Sequence, residues 1–276
     1  MSRGDAGTVR IWHQSMATLS EFGQYQDLLR AHIAKVMPQD VTVDIHGAQA
    51  KSYGGRPPAH VLRYPYLKYR IQTQAIEACR QAEAAGYDAV AMATFGDPYL
   101  RECRSMVGIP VASMPESCLF VASSLAARSA LICLTPTSIP RVRELVDGHG
   151  MTSRVSGIYS LDPPASEHVL VQLMAGQELG NFTDSLQRAA ELAATAGAEM
   201  LIPAEGALNE LLWSRGITSI AGLPVLDALG VTLSYTRLLV HLQRYDGMET
   251  SRVSTFARPP ADWVADIEAA LQPERR

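Results

Sequence analysis

The sequence predicts an α/β protein of two pseudo-symmetric αβα lobes, each with a mostly parallel four-stranded sheet and with the functional site in the cleft between them. Short apolar runs bounded by glycine alternate with segments of helical periodicity, as buried parallel strands joined by crossover helices do. One run, Gly86-Tyr87-Asp88-Ala89-Val90-Ala91-Met92-Ala93-Thr94, has a second copy in Gly197-Ala198-Glu199-Met200-Leu201-Ile202-Pro203-Ala204-Glu205. The likeness extends outward: Ala78, Ala82 and Ala85 align with Ala189, Ala193 and Ala196, and Gly108-Ile109-Pro110-Val111 matches Gly222-Leu223-Pro224-Val225.

Taken in order, residues 8–12 form a β-rich run, and residues 21–36 carry Tyr25, Leu28, Leu29, Ile33 and Val36 at helical spacing before Pro38. Residues 41–46 alternate and end in Gly47, a second strand. Residues 48–65, with Gly54-Gly55 and Pro57-Pro58, read as a long loop of the kind that serves as a lid. A helix over 69–85, a strand over 88–94, a helix over 98–107 and a strand over 109–114 complete a βαβαβαβ series. The pattern then restarts. Helices are expected over 116–128, from Ser138 to about Gly148, and over 182–196, 206–215 and 226–243, with a short one over 263–271; Asp162-Pro163-Pro164 begins a loop. Strands are expected over 130–134, 155–161, 200–204 and 219–225. On this reading residues 1–114 with 226–276 make the first lobe and residues 115–225 the second.

Composition excludes several classes. Hydrophobic residues are 47% and charged residues 19%, ordinary for a globular protein with a real core. The net charge is -4 and the 24 Lys and Arg are scattered, so no nucleic-acid partner is expected. No apolar run approaches about 18 residues, so no membrane span is expected. Nothing after Met1 resembles a signal peptide. Cys79, Cys103, Cys118 and Cys133 fall at irregular spacings with no Cys-x-x-Cys or His-Glu-x-x-His, which argues against a metal site or disulfide framework. A cytoplasmic homo-oligomer without cofactor, acting on a small molecule, is the expectation.

Ala93-Thr94-Phe95-Gly96-Asp97-Pro98 resembles the Ala-Cys-Phe-Gly-Asp-Pro segment of the Asp/Glu/hydantoin racemase superfamily. Ile109-Pro110-Val111 followed by Pro115-Glu116-Ser117 is similar to that family's Ile-Pro-Val and Glu-Ala segment. Ile202-Pro203-Ala204-Glu205-Gly206-Ala207-Leu208 falls where the family has Leu-Gly-Cys-Ala-Gly-Met, and Ile11-Trp12-His13-Gln14-Ser15 is similar to its opening strand. The resemblance spans nearly the whole chain. It implies two facing lobes and cofactor-free chemistry in which two cysteines exchange a proton across the substrate α-carbon. Here the matching positions are Thr94 and Glu205.

That departure changes the chemistry. A cysteine with a pKa of about 8.5 can cycle a proton, whereas a threonine hydroxyl is far too weak an acid. Glu205 remains as a base. Burial in a dry cleft would raise its pKa, and the N-terminus of the helix that follows would lower it. Three reactions are open: hydrolysis, with Glu205 activating water and Thr94 donating to an oxyanion; one-base proton transfer by Glu205; or an acyl intermediate on Glu205. Hydrolysis of a small cyclic ureide, imide or related carboxylate is the first expectation, a hydantoin- or amino-acid-racemase-type isomerase the second, and a non-catalytic binding protein the third. Glu205 as a plain helix cap, with Thr94 a core hydroxyl, is the structural alternative.

The remaining candidates come from strand ends and their neighbours. Gln14 and Ser15, with His13, end the first strand. Phe95 and Gly96 follow Thr94, and Gly206 follows Glu205. Thr135, Thr137 and Ser138 end the fifth strand, where they either hold a ligand carbonyl or cap the next helix. Tyr66 is placed on the lid and Cys118 beside the crossover between lobes. Asp97 is expected to fix its own turn.

Overall fold

The computed structural model describes residues 7–178 and 180–271. In the first lobe β1 (Val9–Gln14) leads through α1 (Gly23–Val36) to β2 (Val41–His46). Three helices, α2 (Pro58–Leu62), α3 (Pro65–Gln72) and α4 (Gln74–Ala84), then return the chain to β3 (Ala89–Met92). From there α5 (Leu100–Met106) leads to β4 (Val111–Ser113). The four strands are parallel in the order β2-β1-β3-β4.

Ser113 ends β4 and caps the crossover helix α6 (Met114–Leu125), its Oγ accepting from the Glu116 amide at 3.2 Å. The second lobe follows as β5 (Ser129–Cys133), α7 (Ile139–Gly148), β6 (Val155–Ser160), α8 (Glu167–Met174), α9 (Asn181–Thr195), β7 (Met200–Pro203) and α10 (Gly206–Ser214). A small antiparallel pair, β8 (Ser219–Ile220) and β9 (Leu223–Pro224), precedes α11 (Ala228–Asp246) and α12 (Ala261–Leu271). The sheet is parallel in the order β6-β5-β7, and α11 packs back on β3 and β4.

Alternation along the central strands explains their unbroken apolar runs. Ala91, Leu131, Cys133 and Ile202 enter one core shared by both lobes, with Ile11, Leu29, Leu229 and Leu233. Val90 and Met92 face an outer core of the first lobe. Ala130, Ile132 and Leu201 face an outer core of the second. A parallel strand covered on both faces has no polar side to show.

The repeat is geometric. The Asp88 and Glu199 amides donate to the carbonyls of Arg10 and Arg128, and the Ala93 and Ala204 amides to those of Gln14 and Ile132. Val90 pairs with Val111 as Leu201 pairs with Val225. Each helix before the repeated strand ends on a glycine of positive φ, 75° at Gly86 and 81° at Gly197, a conformation that favours glycine.

Four local expectations change. The second sheet has three strands, and its fourth position is the single Leu201–Val225 bridge. Residues 219–224 turn instead into the β8–β9 hairpin at Ala221 (φ 49°) and Gly222 (φ 78°). The predicted helix over 69–85 is two helices that meet at Thr73, and Pro65 opens the first. The loop over 48–65 contains α2. The stretch after Pro164 contains α8, whose start is marked by Ser166 Oγ accepting from the Val169 amide.

Candidate active site

The two repeated strands, one from each lobe, deliver Thr94 and Glu205 to one cleft of about 580 Å³. Each side chain follows the last residue whose amide is bonded to the neighbouring strand, Ala93 in one lobe and Ala204 in the other. The strand ends lie close, since a Cβ added to Gly206 would sit 3.8 Å from the Ala93 carbonyl and 3.3 Å from the Tyr25 hydroxyl. Gly206 is therefore the residue that admits Tyr25 beside the acid.

Glu205 occupies the N-cap position of α10 with extended backbone, but its carboxylate caps nothing in the first turn. The side chain turns into the cleft. Its Oε1 lies 3.3 Å from Arg141 Nη2 and 3.4 Å from the Ser138 hydroxyl. Glu205 and Arg141 are about three-quarters covered, with side chains 26% and 27% exposed. The plain-cap alternative is thereby set aside for Glu205.

Arg141 also donates through Nη1 to the Phe95 carbonyl. One guanidinium of the second lobe thus holds both the acid and the strand-end turn of the first lobe, a use of the planar fork that lysine cannot reproduce. Gly96 sits where these groups converge. A Cβ there would meet Arg141 Nη1 at 3.5 Å, Gln72 Nε2 at 3.9 Å and Thr94 Oγ1 at 4.0 Å. Asp97, at φ 44°, is tied to neighbouring elements rather than to its own turn: it accepts from Ser113 Oγ and pairs with His149 Nε2 at 2.6 Å.

Of the residues singled out in the sequence, the cleft brings together Ser15, Thr94, Phe95, Gly96, Thr137, Ser138, Glu205 and Gly206. Five others lie off its wall. His13 belongs to β1 and is 1% exposed, and burial pushes its pKa down to about 4, so the ring is neutral. Gln14, also inside β1, bonds to the Trp12 indole and the Ser15 carbonyl. Thr135 supports Thr137 at 2.9 Å and Ser138 at 3.3 Å, and none of the three side chains caps a helix. Tyr66 is 71% exposed and points to solvent. Cys118 is sealed in the shared core, where burial and then the Asp227 charge push its thiol far up.

The sequence reading missed Arg141, Lys68, Gln72, Tyr25 and Glu144. A spacing signal existed for most of them. Ser138, Arg141 and Glu144 stand three apart across the start of α7, and Pro65, Lys68 and Gln72 make a matching stripe on α3. Tyr25, inside the shared core, is raised far above its ordinary pKa by burial and then by Glu210 and Glu205, so it stays a neutral phenol. Among the described residues no cluster of three His, Cys, Asp or Glu is placed to hold a metal ion. No described helix is long and apolar enough to cross a membrane.

A family model described as Asp/Glu/Hydantoin racemase matches residues 25–236. A hydantoin racemase of Pseudomonas sp. (strain NS671) is 29% identical over 221 residues, 76% of this chain and 80% of the relative. A hydantoin racemase of Rhizobium meliloti is 26% identical over 181 residues, 65% of this chain and 70% of the relative. Among solved structures, an allantoin racemase from Klebsiella pneumoniae superposes with a TM-score of 0.72 at 19% identity, covering 91% of this chain and 94% of that one.

Proposed function

Because the chain belongs to the Asp/Glu/hydantoin racemase family, we propose that it is a cofactor-independent isomerase that moves the proton on the α-carbon of a small cyclic ureide or imide of the hydantoin class. The observation that carries this reading is the placement of Glu205. It is a carboxylate at the end of β7, turned into a partly enclosed cleft and oriented through Oε1 by Arg141 and Ser138. A cleft of about 580 Å³ lies within the range of small-molecule sites. Both relatives cited by sequence are named hydantoin racemases, which favours isomerisation over the hydrolysis expected first.

In this mechanism Glu205 takes the α-proton, and the electron pair moves onto the adjacent carbonyl oxygen as an enolate. On this reading that charge is met by the Thr94 hydroxyl, the Arg141 guanidinium and the uncapped N–H groups at the start of α10; Thr94, Arg141, Gly206 and Ala207 all line the cleft. Preorganised donors of this kind act on charge as it develops and need no reorganisation during the step. Thr94 serves only as a donor and exchanges no proton itself.

The test is proton exchange in heavy water on a panel of 5-substituted hydantoins and allantoin, followed by proton NMR together with optical rotation. Loss of the α-proton signal with decay of rotation is the expected result. Ring opening without exchange would establish hydrolysis instead. Saturable binding with neither change would leave a binding protein.

A further inference from the structure

Inverting a stereocentre by proton transfer needs delivery to the face opposite the base. Glu205 serves one face from the second lobe. The facing wall is built by the first lobe, and Thr94, at its strand end, cannot exchange a proton near neutral pH. The wall holds few other groups that could. Tyr25 is locked as a neutral phenol. The Tyr53 hydroxyl is engaged with the Met16 carbonyl at 2.6 Å. Arg63 is bonded to the Tyr64 hydroxyl at 2.7 Å, and its guanidinium does not deprotonate.

We propose that Lys68 is the proton-transfer group of the first-lobe wall, so that the site runs a glutamate and a lysine, one from each lobe. This rests on the isomerase reading above. The geometry that carries it is the cleft-facing stripe of α3. Pro65, Lys68 and Gln72 all line the cavity. Gln72, buried at the end of the helix, anchors the stripe, its Nε2 being 3.9 Å from a Cβ built on Gly96. Lys68 stands four residues earlier on the same helical face and lines the same cleft.

Its surroundings suit the task. Lys68 is half-buried, and its pKa is lowered, first by desolvation and then by the Arg141 guanidinium, with Glu144 working in the opposite sense. A lysine brought down in this way can both give and take a proton. In one direction Glu205 removes the α-proton and the Lys68 ammonium returns another to the opposite face, ending as a neutral amine. In the other direction the amine removes the proton and protonated Glu205 returns one. Exchange with solvent restores the starting pair, so neither oxidant nor co-reactant is needed.

The experiment uses both enantiomers of a hydantoin that the wild-type chain exchanges, in heavy water. Inversion is followed by chiral chromatography and exchange by NMR. Lys68→Met is expected to lower inversion by at least about 10²-fold, while one enantiomer, the one whose proton faces Glu205, still takes up deuterium with retention. Lys68→Arg, which keeps the charge, is expected to behave the same way. Glu205→Gln should leave exchange only on the other enantiomer. Inversion by Lys68→Met or Lys68→Arg within a few-fold of wild type would overturn the assignment, as would equal loss of exchange from both enantiomers in Lys68→Met with rescue by Lys68→Arg. A wild-type chain that exchanges no hydantoin defeats the isomerase reading itself, which is a separate outcome.

Discussion

The imidazole of His149, just past α7, lies 2.6 Å from the Asp97 carboxylate of the first-lobe strand-end turn. The contact joins the lobes beside the cleft, and Glu116, itself paired with Arg104, stands 4.0 Å from the other ring nitrogen. Burial lowers the histidine pKa, but the Asp97 hydrogen bond and charge, with help from Glu116 against Arg104, raise it overall. A raised folded-state pKa contributes stability that is full below the unfolded value, about 6.5, and is lost as pH rises through the folded value. His149→Gln should therefore lower Tm most at mildly acid pH, by the equivalent of roughly 1.5–3 kcal/mol for a charged hydrogen bond, and progressively less toward alkaline pH. A Tm difference that does not change with pH would mean that the ring contributes only packing.

Arg141 should be intolerant of lysine. Its fork reaches the Phe95 carbonyl and Glu205 at once, and an ammonium can satisfy one but not both. Arg141→Lys is expected to lower kcat/KM on an exchanged substrate by about 10²–10³-fold, the range for loss of one preorganised donor. Because the guanidinium is 27% exposed and lies on the cleft wall, Tm should move little. A large fall in Tm with activity recovered on cooling would make Arg141 a lobe clamp rather than a site residue.

Glu205 and Thr94 are predicted to differ in kind. Glu205→Gln keeps the size and removes the proton affinity, so turnover should fall by at least about 10²-fold. Thr94→Ala removes one donor from a cleft that also has α10 amides and Arg141 on its lining, and should reduce turnover less. Steady-state rates and substrate affinity for the two variants decide this. Undiminished turnover in Glu205→Gln would remove the proton-transfer mechanism.

The sequence made the strands legible because parallel strands covered on both faces are continuous apolar runs, and the repeat placed Thr94 and Glu205 at equivalent ends. It concealed what reaches those ends sideways. Arg141 is 64 residues from Glu205, and nothing in its local sequence ties it to that strand end. Lys68 falls between the loop expected over 48–65 and the helix expected over 69–85, while Pro65 in fact opens a helix that contains it. His13 failed in the opposite way. The opening strand was taken to stop at Trp12 but runs on to Gln14, so a residue expected at the rim became a neutral core histidine. The missing fourth strand of the second sheet shows the same limit. Gly222-Leu223-Pro224-Val225 matches Gly108-Ile109-Pro110-Val111, yet the hairpin at Ala221 and Gly222 leaves only Val225 in register.

A second histidine, His32 on α1, should dominate the alkaline stability of the protein. Its Nδ1 lies 3.0 Å from Glu210 of α10 and its Nε2 2.9 Å from Asp227, the residue that caps α11. The ring stacks on Trp213 at 4.1 Å, and the side chains of His32 and Glu210 are 0% and 1% exposed. Burial lowers the pKa, but bonds to Asp227 and Glu210 and then their charges outweigh it and bring it up to about 9. With its pKa raised in this way, the ring as a cation would tie α1, α10 and the start of α11 together. Its contribution should be complete below about pH 6.5 and should fade between there and about 9, as one carboxylate loses its donor. Urea midpoints of the wild-type chain are expected to fall across that window. His32→Gln should lower stability by about 3–5 kcal/mol near neutrality, because Glu210 is left buried without its counter-charge. The variant's midpoints should also be much flatter with pH. A wild-type profile equally flat over the same window would show that the ring is neutral in the folded state and that the three helices are held by packing alone.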